Sequence, residues 1–329
     1  EIDAIVANTE EPTFENTIEA MEYAGQTLNG VASVFYALME ANTNDEMQQI
    51  AEQISPMLNE YSMYVSLNAD LFAKVKSVYE KKDELGLEKD QLKLLEDNYK
   101  SFVRGGANLS DEDKELYSKW SEELSLASLQ FSKNVLAATN AYTLHITDSA
   151  DLAGLPEFVK TMAAETASEK GLEGWAFTLD APSYSPFLKY SEVRNLRKDM
   201  WTAYNTRAIG GEFDNTDVVK KIVDLRIRIA NILGYETYAD YALEERMAKD
   251  KATVNGFIKD LLEPSMEFAK KDVADVYAFA KKNGFEDSQL MPWDFSYWSE
   301  KYQQAEYSLS AEELKPYFQL ESCIDAVFG

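Results

Sequence analysis

Histidine and cysteine are almost absent from this chain of 329 residues, which contains one of each, His145 and Cys323. A single cysteine excludes an intrachain disulfide and a cluster of thiolate metal ligands. A single histidine cannot supply the two imidazoles, four residues apart on one helix, that an H-E-x-x-H zinc site requires. We therefore expect His145 to be a partly exposed polar residue rather than a ligand or a base. Cys323 is expected to be a small buried hydrophobic residue beside Ile324 and Val327.

Basic residues are also scarce relative to acidic ones. Lys and Arg number 32 against 58 Asp and Glu, which gives a net charge of −26 at pH 7. Such a balance argues against nucleic acid and anionic membrane surfaces as partners, because both attract cationic groups. No apolar run approaches the roughly 20 residues that span a bilayer. Because the chain starts at Glu1 and not at a methionine, we expect residues upstream of it, and a signal removed with them would leave no trace here. The sequence therefore leaves the location, cytoplasmic or periplasmic, open.

Motifs for nucleophilic catalysis and for phosphate binding are missing as well. The sequence contains no G-x-S-x-G nucleophile elbow, no G-x-x-x-x-G-K-S/T loop and no G-x-G-x-x-G loop. Adjacent acids such as Glu244 and Glu245 are abundant, and we interpret them as solvated helix faces. The sequence therefore offers no mechanism by which this chain alone would catalyse a reaction.

Helical periodicity dominates what is present. Apolar residues recur at helical spacing over residues 18–38 and 47–61, and a longer stripe over residues 116–135 predicts a helix that ends near Thr139. Thr13 is a plausible cap for the first of these helices. We predict a mainly α fold of multi-helix bundle lobes, in which residues 1–140 form an N-terminal helical bundle.

The pattern changes after residue 140. Apolar and polar residues alternate over residues 142–146 and again over 175–179, which predicts two short strands. Pro156 precedes a short helix between them, and residues 180–183 are predicted to form a turn. Residues 141–190 are therefore predicted to be a small strand–helix–strand insert.

Residues 191–329 are predicted to form a second helical region. A long helix near residues 252–283 contains Pro264, where we expect a kink or a break. The last segment carries an apolar stripe, Leu320, Ile324 and Val327. Because this stripe is expected to be uncovered in the isolated chain, we expect the chain to self-associate through it.

Aromatic residues are numerous, with 19 tyrosines and five tryptophans, and several cluster between residues 293 and 317. The simplest interpretation is packing between helices, with tyrosine hydroxyls reaching the surface. The functional alternative is the wall of a cleft that binds peptides. Under that alternative the candidate lining residues are Trp293, Tyr297 and Tyr302.

Short sequence blocks along nearly the whole chain carry a family resemblance. They are P-T-F-E-N-T-I at 12–18, W-A-F-T-L at 175–179, L-R-K at 196–198, Y-N-T-R-A at 204–208, A-N-I-L-G-Y at 230–235, P-W-D at 292–294 and L-K-P-Y-F-Q-L at 314–320. In this order they resemble the thimet oligopeptidase and oligopeptidase A family of zinc metallopeptidases, and most closely its bacterial peptidyl-dipeptidase branch. No single block is a catalytic signature, but together they are specific.

The resemblance implies a mostly helical peptidase shaped like a two-lobed clam around a deep channel, with this chain on one side of the clam. It also implies that the zinc motif follows the last block, so we expect the catalytic histidines beyond Gly329. No catalytic or metal-binding residue of the family maps onto this chain. Zinc is thus implied as a cofactor of the parent polypeptide, and no cofactor is expected in this chain. The partners implied are short peptides, through the parent enzyme, and the missing catalytic half.

Two hypotheses follow. In the first, the chain is the non-catalytic N-terminal part of a zinc metallopeptidase that hydrolyses short peptides and releases C-terminal dipeptides, and this part forms a wall of the substrate channel. On this hypothesis the isolated chain binds no stoichiometric zinc and is inactive. In the second, the chain is a stand-alone helical module that binds peptides or regulates another protein without catalysis.

Overall fold

The computed structural model of the chain describes residues 1–308 and 314–328. This described part is mainly α, as predicted, with one small sheet. The first helices are α1 Ile2–Ala7, α2 Ala20–Tyr23, α3 Gln26–Ala41, α4 Asp45–Ser66, α5 Ala69–Glu80, α6 Lys89–Arg104 and α7 Asp111–Ala141, with a π-helical turn at Phe14–Glu19. They are followed by α8 Glu157–Glu169, α9 Ala181–Tyr190, α10 Arg194–Asn205, α11 Thr216–Ile232, α12 Tyr238–Leu243, α13 Lys251–Lys282, α14 Pro292–Tyr307 and α15 Leu320–Phe328. Within residues 1–308 and 314–328, no helix combines the length and the hydropathy needed to cross a membrane.

The chain divides into two compact units. The first unit contains Glu1–Asn134 and Asp214–Thr253, and the second contains Val135–Phe213 and Val254–Gly329. These units are not consecutive along the chain, unlike the three segments 1–140, 141–190 and 191–329 expected from the sequence. The three-segment division stays a prediction about sequence organisation.

The core of the first unit forms where α5 and α6 pack on the π-helical turn. Ile18, Leu71, Val75 and Leu95 are fully buried there. As predicted, Thr13 caps the turn: its hydroxyl accepts the Asn16 amide at 3.2 Å, while the Asn16 side chain accepts the Thr13 amide at 2.8 Å. This reciprocal cap fixes the start of the turn and so directs Ile18 into the core.

The second unit contains the predicted strand–helix–strand element. Strand β1, Leu144–Ile146, pairs antiparallel with β2, Trp175–Phe177, and α8 connects and covers them. The turn into β2 requires glycine, because Gly174 has φ +90° and an added Cβ would lie 2.4 Å from the carbonyl oxygen of Ile146.

Two details differ from the sequence-based expectations. The turn predicted at residues 180–183 is the start of α9, because Pro182 lies in the first helical turn, where its missing N–H is not needed. At Pro264 the helix is not broken, since α13 runs without interruption from Lys251 to Lys282, and the alternative of a kink stays a prediction.

Candidate functional site

The three aromatic residues predicted to line a channel all lie on α14, and two of them face α10. The Trp293 ring meets Trp201 edge to face, with centroids 5.6 Å apart. Four residues later, the ring of Tyr297 is buried with its centroid 4.2 Å from the guanidinium carbon of Arg197. Both rings therefore contribute to packing between α14 and α10.

The third residue, Tyr302, faces a different helix. Its ring is half-buried and lies 5.5 Å from that of Phe279 on α13. Tyr297 and Tyr302 belong to one apolar cluster, which also contains Trp298, whereas Trp293 packs on Trp201. All three rings pack within the second unit, and a role for them in lining a channel stays a prediction.

A buried ionic network joins α10 to the start of α14. The carboxylate of Asp294, which is fully buried, accepts two hydrogen bonds from Arg194, at 2.8 and 2.7 Å, and a third from Arg197 at 3.2 Å. It also accepts the Met291 amide at 3.1 Å and so caps α14. Arg197, 2% exposed, donates further to the carbonyl oxygens of Trp293 and Ser191.

The electrostatics of this network keep Asp294 ionised. Burial alone would raise the pKa of the Asp294 carboxyl, but the hydrogen bonds from Arg194, Met291 and Arg197 outweigh it and hold that pKa below its usual value. The carboxylate's acceptor positions are filled by these donors, so it cannot serve as a general base or as a metal ligand. We interpret the network as the structural connection between α10 and α14.

A second buried acid on α14 lines a cavity of about 340 Å³. Glu300 is 4% exposed and pairs with Lys189 of α9 at 2.7 Å, and its other oxygen accepts the Gln304 amide at 2.8 Å. Burial tends to lower the pKa of Lys189, but its hydrogen bond to the Glu300 carboxylate leaves that pKa raised. Lys189 is therefore protonated near pH 7, and its contact with Glu300 holds α9 against α14.

The first unit has its own polar cluster, centred on Arg104 at the end of α6. Arg104 donates to the Tyr235 hydroxyl at 3.0 Å and to the Tyr241 carbonyl oxygen at 2.7 Å, and it forms an ion pair with Glu244. Its guanidinium carbon also lies 4.5 Å from the centroid of the Tyr241 ring. Burial and the hydrogen bond to Glu244 raise the pKa of Tyr235 to about 12, so its phenol is neutral near pH 7.

Sequence reasoning did not identify either cluster, although three of their residues lie in blocks that carry the family resemblance. Arg197 belongs to L-R-K at 196–198, Asp294 to P-W-D at 292–294, and Tyr235 to A-N-I-L-G-Y at 230–235. Arg194 and Arg104 lie outside the blocks, and the pairing of Arg194 with Asp294 across 100 positions is visible only in the folded chain.

His145 and Cys323, the two rare residues, have separate environments. His145 is exposed on β1, where its Nε2 donates to the carbonyl oxygen of Glu173 at 2.6 Å, so its exposure agrees with the expectation. The prediction for Cys323 was wrong. This free thiol is only half-buried, and its neighbours Ile324 and Val327 are exposed, because α15 has no buried residue.

Zinc, which the family resemblance implies for the parent polypeptide, does not fit the residues of this chain. The only imidazole is bonded to a backbone carbonyl, and the only thiol stands alone in the sequence. In the part of the chain that the structure describes, no three His, Cys, Asp or Glu side chains form a group that could hold a metal ion.

Comparison with known proteins shows which family this chain resembles. Residues 187–329, which include Arg194, Arg197 and Asp294, match the model for Peptidase family M3. Oligopeptidase A from Escherichia coli is 33% identical over 99% of this chain. The resemblance to the oligopeptidase family is confirmed.

Other relatives give the same picture with different printed names. Dipeptidyl carboxypeptidase from Escherichia coli is 33% identical over 99% of this chain, and saccharolysin from Saccharomyces cerevisiae is 26% identical over 97%. The alignments cover 49%, 48% and 45% of oligopeptidase A, dipeptidyl carboxypeptidase and saccharolysin respectively. The chain thus spans about half the length of the curated relatives it matches.

Proposed function

We propose that this chain is the N-terminal, non-catalytic part of a zinc metallopeptidase that hydrolyses short peptides. The observation that carries the proposal is the 33% identity to oligopeptidase A and to dipeptidyl carboxypeptidase, which extends over 99% of this chain and about half of each relative. A peptidase needs a nucleophile or an activated water. With one histidine the chain lacks the zinc ligands for the latter, so the proposal assigns that chemistry to the other half of the enzyme.

The proposed reaction of the whole enzyme is the release of dipeptides from the C-termini of peptides. An enzyme of this kind must recognise the free carboxylate of its substrate, whereas an oligopeptidase that cuts internal bonds need not. The relatives named for these two activities are equally similar to this chain, at 33% identity each. Product analysis therefore distinguishes the two activities better than sequence similarity does.

The role proposed for this half is one wall of the channel that admits short, unfolded peptides. Trp293 and Tyr302 are half-buried, so part of each ring remains open to a ligand. Tyr297 is buried and would support the wall from behind through its contact with Arg197. A wall of aromatic rings can bind peptide side chains with little sequence preference.

The test uses the whole native polypeptide and two versions of one octapeptide, with a free and with an amidated C-terminus. We expect dipeptides to be released from the free peptide and the amidated peptide to be cut far more slowly, as followed by mass spectrometry. Equal internal cleavage of both peptides would replace dipeptide release with oligopeptidase activity. No zinc-dependent cleavage of either peptide would refute the proposed function and favour the non-catalytic peptide-binding module.

A further inference from the structure

Helix α13 presents an uncovered apolar stripe. Six of its large apolar side chains are each 40% to 70% exposed, namely Phe257, Ile258, Leu261, Leu262, Met266 and Phe268. At 3.6 residues per turn these positions lie on one half of the helix surface. The other half carries the charged residues of the same segment, which are Lys259, Asp260, Glu263 and Glu267. We call the six apolar residues the α13 stripe.

The α13 stripe continues into an established core. Farther along the same face, Val276 and Ala280 are 4% and 0% exposed and pack with Phe285, Tyr297 and Trp298. The face is therefore covered at its C-terminal end and bare over residues 257–268, a length of roughly 17 Å at 1.5 Å per residue. A helix with one apolar face is stable in water when that face is covered. An exposed apolar patch of this extent is typical of a site that contacts another protein surface.

We infer that the α13 stripe is the docking surface for the metal-bearing half of the same peptidase. This inference rests on the proposed function, and it adds the place on this chain where the other half binds. The contact would resemble helix-in-groove recognition, in which an amphipathic helix lays its apolar side into a groove of the partner.

Two observations favour this occupant over others. About half the length of the relatives has no counterpart in this chain, and the stripe lies inside the segment that matches Peptidase family M3. A small-molecule ligand fits poorly, because such ligands occupy concave sites and the stripe is the convex side of a helix.

The test is a pair of double variants that change the net charge equally. Phe257→Lys with Leu261→Lys adds two positive charges to the stripe, whereas Asp260→Asn with Glu263→Gln removes two negative charges from the opposite face. All four side chains are exposed, so both variants should keep the helical circular dichroism of the wild type. The binding partner is the segment of the native polypeptide that aligns with the uncovered half of oligopeptidase A, produced separately.

Isothermal titration calorimetry of each variant with that segment gives the outcome. We expect the stripe variant to bind at least about tenfold more weakly than wild type. The opposite-face variant should stay within about threefold of wild type, as is usual for exposed polar changes. A second measurement needs no variant, because amide hydrogen exchange over residues 257–268 of the wild-type chain should slow when the segment is added.

Failure of the inference can be told apart from failure of the proposed function. Wild-type affinity in the stripe variant, or unchanged hydrogen exchange, would overturn the docking surface while leaving the peptidase assignment intact. Dimerisation of the wild-type chain that the stripe variant abolishes would also overturn it. Halves that associate through the stripe but hydrolyse no peptide would refute the proposed function alone. A native polypeptide without such a half would refute both.

Discussion

The buried network around Asp294 leads to a quantitative prediction for Asp294→Asn. Four N–H groups point at this carboxylate, two from Arg194 and one each from Arg197 and Met291. They are divided equally between its two oxygens, so an asparagine must turn its own NH2 group toward two donors in either orientation. The variant also leaves Arg197, 2% exposed, without its counter-charge.

The expected loss is about 3–5 kcal/mol of unfolding free energy, the range found when one partner of a buried ion pair is removed. Arg194 contributes less to this figure than Arg197, because its side chain is 38% exposed and water can screen it. The matched control is Asp287→Asn. Asp287 pairs with the same Arg194 at 2.5 Å but is 53% exposed, so its loss should cost about 1 kcal/mol or less.

The assay is urea unfolding followed by tryptophan fluorescence, in which Trp293 and Trp298 report on the second unit. The dependence of stability on pH provides an independent test of the Asp294 network. Because the pKa of Asp294 is lowered on folding, its contribution is present above the unfolded value of about 3.9 and is lost as the pH falls through the folded value. The unfolding free energy of Asp294→Asn should therefore lack the fall at acidic pH that protonation of Asp294 causes in the wild type. Equal stability of Asp294→Asn and Asp287→Asn at pH 7 would refute the reasoning.

Three further predictions concern other positions. Arg104→Lys should destabilise the first unit by about 1–3 kcal/mol in urea unfolding, because lysine cannot reproduce both hydrogen bonds, to Tyr235 and to Tyr241. An unchanged urea midpoint would contradict this. Gly154→Ala should lower the melting temperature well below that of the control Gly171→Ala. Both positions have positive φ, but only at Gly154 would the Cβ lie 2.4 Å from a carbonyl oxygen, so equal melting temperatures would rule out the clash. Tyr117→Phe should flatten the loss of stability between pH 10 and pH 12. Burial raises the pKa of Tyr117 to about 12, so its contribution to the unfolding free energy is full below the unfolded pKa near 10 and is lost as the pH approaches 12. An unaltered curve of stability against pH would contradict this.

Much of the fold follows from local patterns. The cap at Thr13 and the long helix α7 depend on residues within a few turns of each other, which periodicity and capping rules detect. The strand pair was predictable from local signals as well, because Leu144–Ile146 alternates in polarity and Trp175–Phe177 carries two aromatic residues of the kind enriched in strands.

The division into two units was not predictable from such patterns. The chain passes between the units three times, inside α7 at residue 134, in a loop at residue 213 and inside α13 at residue 253. The loop crossing follows Gly210 and Gly211. Neither helix is interrupted at its crossing, because α7 has no glycine or proline and α13 continues through Gly256 and Pro264, so no local signal marks these two crossings.

The polar clusters were beyond sequence reasoning for a different reason. Arg194 and Asp294 are 100 residues apart, and either could have been a solvated charge in a chain with 58 acids. Only the fold determines that they meet. The same holds for Tyr297, whose burial on Arg197 reflects the packing of α14 on α10.

We propose that the metal chemistry of the parent peptidase lies outside this chain. Elemental analysis of purified residues 1–329, together with a peptide hydrolysis assay in added zinc, tests this proposal. We expect no stoichiometric zinc and no hydrolysis, since His145 is the only histidine. One zinc per chain with hydrolysis that a chelator abolishes would refute the proposal.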